Sequence, residues 1–252
     1  MSTFALWMTS VFILMTLLLS IWQKLQLEKE IVIATIRTAV QLTLIGFVLE
    51  FIFDQGSVWF MIGIIVIMVG VASLNASGRG KGLKGLVWWV LFAIATTEAI
   101  TMGLMVSLGI IEPVPETIIP ISGMIVGNAM VVSGLFINNM KRNMNEAVSE
   151  IEVLLALGAS KKQAIHRVLK DAVKASMIPT IDTMKTVGLV QLPGMMTGMI
   201  IAGSSPIEAV KYQILIMFSI TGAAALTSIM LGMFTYHMWF TRDLQLKDIN
   251  FN

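Results

Sequence analysis

The sequence predicts an all-α, polytopic membrane protein of about seven transmembrane helices. Three observations predict it. Of 252 residues, 56% are hydrophobic and 13% charged, with mean hydropathy +0.85, whereas a soluble domain carries about 25% charge. Apolar runs of spanning length recur along the chain. Basic residues segregate to alternate connections, as they do in inserted chains. The chain has no cysteine, which excludes disulfides, thiolate metal sites and iron–sulfur clusters. A net charge of +2 points to no nucleic-acid partner.

The runs fall at 4–22, 31–53, 58–76, 86–110, 118–140, 186–204 and 210–240. The first has no basic segment before it and no small-residue cleavage site after it, so it reads as a retained span. The second, fourth and seventh exceed the hydrocarbon thickness and call for tilt. Trp7 and Trp22 bracket the first run, Trp59 opens the third, Trp88 and Trp89 open the fourth, and Trp239 closes the seventh. This is an aromatic belt. Lys24, Lys29, the bases of 79–84, those from Lys141 to Lys185, Arg242 and Lys247 share one side. Asp54, Glu112, Glu116 and Glu208 share the other, where Lys211 is the sole base. The positive-inside rule then sets the N-terminus outside and the C-terminus inside.

"GRGKGLKG" (78–85) imitates a phosphate-binding loop, but Gly82 follows its Gly-Lys and no strand precedes it. It reads as a basic cytoplasmic turn. With no nucleotide-binding loop elsewhere, any ATP and Mg that drive this protein belong to another chain, and the chain itself binds no cofactor.

One sizeable loop, 141–185, lies on the cytoplasmic side. Ala147, Val148, Ile151, Leu154, Leu155 and Leu157 recur at helical spacing. Gly158 is a helix stop, and Ser160 with Gln163 forms a capping box that starts a second helix, expected to end near Pro179. The product is helix, tight turn, helix: a lever that a soluble partner can grip. In "EIEVLLALGAS" (150–160), Glu152 precedes Gly158 by six, as in the EAA-type coupling loops of ABC permeases. The consensus Pro of those loops comes sooner than Pro179 does. The segment also resembles one in MacB/FtsX-type permeases. Glu152, Leu157, Gly158, Ala159 and Ser160 are the candidate coupling residues. The competing structural reading is an amphipathic helix pair lying on the membrane surface.

"RTAVQLTLIGFVL" (37–49), "PISGMIVGNAM" (120–130), "LLALGAS" (154–160) and "VGLVQLPGMMTGMIIAGSSPIEAVKYQI" (187–214) together resemble the FetB family of ABC permeases. The resemblance covers nearly the whole chain. It implies a single permease domain over 1–252 in a cell (inner or plasma) membrane, paired as a homodimer with a separate ABC ATP-binding subunit. Iron export is the activity tied to bacterial members; aluminium tolerance and nucleotide-sugar transport are tied to a plant relative. The chain would then be a transport subunit, not an enzyme.

Polar groups within the spans mark the candidate pathway, since a central acid costs about 2.5–3.5 kcal/mol on insertion scales. At about 1.5 Å per residue, Arg37 lies about 9 Å deep, Gln41 about 15 Å and Glu98 about 17 Å, with Asn128 also near the middle. Pro193 and Gly194 interrupt the sixth run beside Met195 and Met196, so that helix is expected to break. Glu98 would supply charge and the metal ligand, Gln41 and Asn128 oxygen, and the methionines soft sulfur. Each has a structural alternative. Arg37 can neutralise Glu98, Gly123, Gly127, Gly194 and Gly198 serve close helix packing, and methionine commonly fills gaps. An ion-driven secondary transporter with Glu98 as proton relay, or a membrane anchor for a signalling partner, are the alternatives of different class.

Overall fold

A computed structural model of the chain describes residues 8–80, 82–241 and 245–246. The described residues are helical, apart from turns and two isolated bridges, Val187 to Gln191 and Phe240 to Leu246. They divide into two compact units at Ser57 and Val58.

The first unit holds α1 (Ser10–Trp22) and α2 (Glu28–Gln55). The buried Ser20 hydroxyl donates to Glu28 Oε1 at 2.7 Å and accepts the Leu27 N–H at 3.3 Å, so one side chain ties the turn together. Gly56, at φ 57°, ends α2. With 13 residues, α1 rises about 20 Å, less than a hydrocarbon core. Trp7 and the rest of 1–7 lie outside the described residues.

In the second unit come α3 (Val58–Ser77), α4 (Leu86–Ser107), α5 (Pro115–Glu146), α6 (Val148–Ala156), α7 (Lys161–Ala164), α8 (His166–Thr186), α9 (Gly194–Ile201) and α10 (Pro206–Thr235). The longest helix, α5, packs against α3, α4, α8 and α10. Its buried Val126, Ala129, Phe136, Ile137 and Met140 join Val90, Ala93 and Ile94 of α4 in the core. Gly134 of α5 admits the Arg79 side chain so closely that a Cβ there would meet it at 2.9 Å. Leu83 is buried within the 78–85 turn, whose Lys81 lies outside the described residues.

Among the described residues, five helical segments are long and apolar enough to cross a membrane: Glu28–Gln55, Val58–Gly80, Leu86–Ser107, Pro115–Glu146 and Pro206–Trp239. They match the second, third, fourth, fifth and seventh predicted runs. The helix before the sixth run departs from expectation. Pro179 does not end it, because α8 continues to Thr186. Val168, Ala172, Ser176 and Thr180, four residues apart, bury one continuous stripe, and that packing outweighs the donor lost at the proline. Thr180 reaches Asn128, which stands about 20 Å along α5. The helix therefore already packs inside the bundle at Thr180. The chain then breaks over 187–193, and α9 restarts with Pro193 as its N-cap.

Candidate functional site

Two regions gather the candidate residues. The first is the turn between α6 and α7. Leu154, Leu155 and Leu157 close α6 with a Schellman motif. The Gly158 N–H bonds Leu155 O at 3.0 Å, the Ala159 N–H bonds Leu154 O at 3.0 Å, and Gly158 has φ 90°. The expected capping box follows. The Ser160 N–H donates to Gln163 Oε1 at 2.9 Å, and the Gln163 N–H donates to Ser160 Oγ at 3.4 Å. Ile151 and Ile165 anchor the two sides in the core. An Arg167–Glu150 ion pair links α8 to α6. Lys161 Nζ donates to Thr241 O at 3.4 Å and stands 5.7 Å from the Phe240 ring centroid, so the chain after α10 braces the turn. This rigid frame holds apolar side chains outward: Leu157 is 79% exposed and Val153 58%. Glu152, Gly158 and Ser160 are also exposed and Ala159 half-buried.

The second region is the polar interior of the second unit. Glu98 on α4 is buried, and neither carboxyl oxygen has a hydrogen-bond partner. The Ser122 hydroxyl of α5 lies within interaction range of that carboxyl, yet it too makes no bond of hydrogen-bonding geometry. One residue away, Thr227 donates to Thr97 at 3.0 Å between α10 and α4, and both are buried. Asn128 faces α8 and α10: its Nδ2 donates to Ile220 O at 3.5 Å and its Oδ1 accepts from Thr180 at 3.4 Å. It lines a cavity of about 190 Å³ with Thr180, Thr183 and Met217.

Met195 and Met196 are half-buried on α9. Met196 borders a second cavity, of about 310 Å³, together with Met184, Gln213 and Met217. Arg37 and Gln41 belong to the first unit and are exposed on α2. Among the described residues no group of three or more His, Asp or Glu is placed to hold a metal ion.

Sequence reasoning missed Thr180, Met184, Gln213 and Met217. Thr180 and Met184 fell in a stretch that the basic residues assigned to the cytoplasm. Gln213 was visible as a polar residue in an apolar run, but only the fold shows it to be buried with an unpartnered oxygen.

A family model described as "Uncharacterised protein family (UPF0014)" matches residues 3–240. The chain is similar to "UPF0014 membrane protein YjkA" of Bacillus subtilis, at 45% identity over 98% of this chain and 99% of that one. It is 37% identical to the "Probable iron export permease protein FetB" of Escherichia coli, over 93% of this chain and 90% of that one. It is 38% identical to "Protein ALUMINUM SENSITIVE 3" of Arabidopsis thaliana, over 94% and 87%. No solved structure matches it. With five spanning helices and these relatives, the chain is a multi-pass membrane protein.

Proposed function

The chain belongs to the UPF0014 family, and from that premise we propose that it is the permease subunit of an ABC transporter exporting metal cations, iron among them. The observation that carries the reading is the α6–α7 turn. A Schellman motif and a capping box hold Leu157 79% exposed in the most charged stretch of an otherwise apolar chain. An exposed leucine on a rigid turn suits the groove of a soluble partner. That partner, an ABC ATP-binding subunit, would carry ATP and Mg.

In this reading 1–252 is one permease domain with seven spans, N-terminus outside and C-terminus inside, in the inner or plasma membrane. The five long helices supply most of the spans, α1 the first, and α8 with α9 an interrupted sixth. A homodimer belongs to this reading: Arg37 and Gln41, four residues apart, share one face of α2, and a charge on a membrane helix calls for a covering partner. Glu98 would contact the cation, with Gln41, Asn128, Met195 and Met196 along the pathway and Pro193 and Gly194 at the moving break.

A second reading, an ion-driven secondary transporter, has one observation in its favour: the unpartnered carboxyl of Glu98 suits a proton relay. A nucleotide-sugar cargo would keep the ABC architecture and change only the pathway's occupant. The deciding experiment is affinity purification of the full chain from detergent-solubilised membranes. An ATPase subunit in stoichiometric amount, with ATPase activity stimulated by Fe(II), is the expected result. Transport by the purified chain alone, driven by a proton gradient, would overturn the ABC reading.

A further inference from the structure

The cavity of about 310 Å³ lies between the α8–α9 interruption and α10. Three of its ten lining residues are methionines, Met184, Met196 and Met217, where the chain's 20 in 252 give about one. Methionine usually fills gaps because its side chain adapts. Here three of them border a space that remains open, which a filler role does not explain.

Among the described lining residues the only polar side chain is Gln213, 7% exposed, and its Oε1 has almost no accessible surface, so it lies behind the wall and not on it. Thr221 Oγ1 lies 2.8 Å from both Met184 Sδ and Met217 O, so its one hydrogen serves one of them at a time. The Met184 sulfur keeps a lone pair for another bond.

We propose that this cavity binds a soft monovalent cation of the copper(I) class, held by the thioethers of Met184, Met196 and Met217. The donor set decides the class. Thioethers select Cu(I) over harder ions, whereas a divalent ion at an apolar wall calls for carboxylates that are absent from the lining. The position fits as well, because Val187, Gly188 and Leu192 of the irregular segment form one wall. Non-helical backbone in a membrane bundle is tolerated where it lines such a space. Glu98 is not among the lining residues. The site therefore goes beyond the reading above and holds whether or not an ATPase drives the chain.

Since the chain has no cysteine, soft-cation binding by the purified protein cannot arise from thiols. Cu(I) is titrated into the full-length chain in detergent against the chromophoric chelator bicinchoninate. The expected result is one tightly held Cu(I) per chain, not displaced by a tenfold excess of Fe(II) or Zn(II). The triple change Met184→Leu, Met196→Leu, Met217→Leu weakens it at least 100-fold. The matching change at the exposed Met8, Met15 and Met233 leaves it unaltered. Equal affinity in wild type and the cavity triple, or displacement by Fe(II) or Zn(II), overturns the assignment. If the cavity triple does not fold, copper-edge X-ray absorption on the wild-type complex decides. A sulfur shell supports the site, and a shell of nitrogen and oxygen alone overturns it.

Discussion

Leu157→Ala isolates the partner contact at the coupling turn. The side chain is 79% exposed, so its truncation removes almost no packing from the chain itself. If a partner buries it, three deleted carbons at about 0.8 kcal/mol each, scaled by that exposure, come to about 2 kcal/mol. That corresponds to a dissociation constant raised about 25-fold. The assay is the affinity of the ATP-binding subunit for the permease in nanodiscs, alongside the permease's thermal unfolding. Weakened association with unchanged unfolding is expected. Unchanged affinity in a normally folded variant would refute the placement of the contact. A drop in stability would refute the premise that the frame of α6 and α7 stands without this side chain.

Gly158→Ala should cost about 1–2 kcal/mol through backbone strain alone, because its φ is 90° and nothing lies within 4 Å of the added Cβ. Loss of coupled ATPase stimulation at normal membrane abundance checks it. Glu98→Gln should abolish metal-stimulated activity while unfolding resistance in mixed micelles stays within about 1 kcal/mol, since neither carboxyl oxygen has a hydrogen bond to lose. A less stable variant would mean that the carboxylate is structural. Gln41→Cys, introduced into a chain without cysteine, should give a covalent dimer with a short bifunctional maleimide in membranes, and only monomer if α2 faces lipid.

The helical class and five of the spans were legible in the sequence because lipid imposes a local rule. Each spanning segment must satisfy its own backbone and present apolar side chains, and both can be read from consecutive residues. The α6–α7 turn was legible for the same reason. Gly158, Ser160 and Gln163 act on backbone groups within five residues of themselves, so spacing alone specifies the geometry. The end of the helix before the sixth run was misread where a local signal met a distant one. Pro179 disfavours helix, but the stripe from Val168 to Thr180 is buried by helices distant in sequence, as where Thr180 meets Asn128, 52 residues before it.

Depth and burial of the polar residues were decided only in three dimensions. The sequence set Gln41, Glu98 and Asn128 at similar heights, yet height along a span says nothing of the direction a side chain faces. Helix rotation and packing turned Asn128 toward Thr180 and Ile220 and left Glu98 beside Ser122. They also brought Gln213 and three methionines to one cavity. What the sequence determined by itself is what each segment must do in order to cross a bilayer. Which polar atoms meet, and which are left without partners, depended on how the segments pack, because in lipid those contacts are made between helices and not along them.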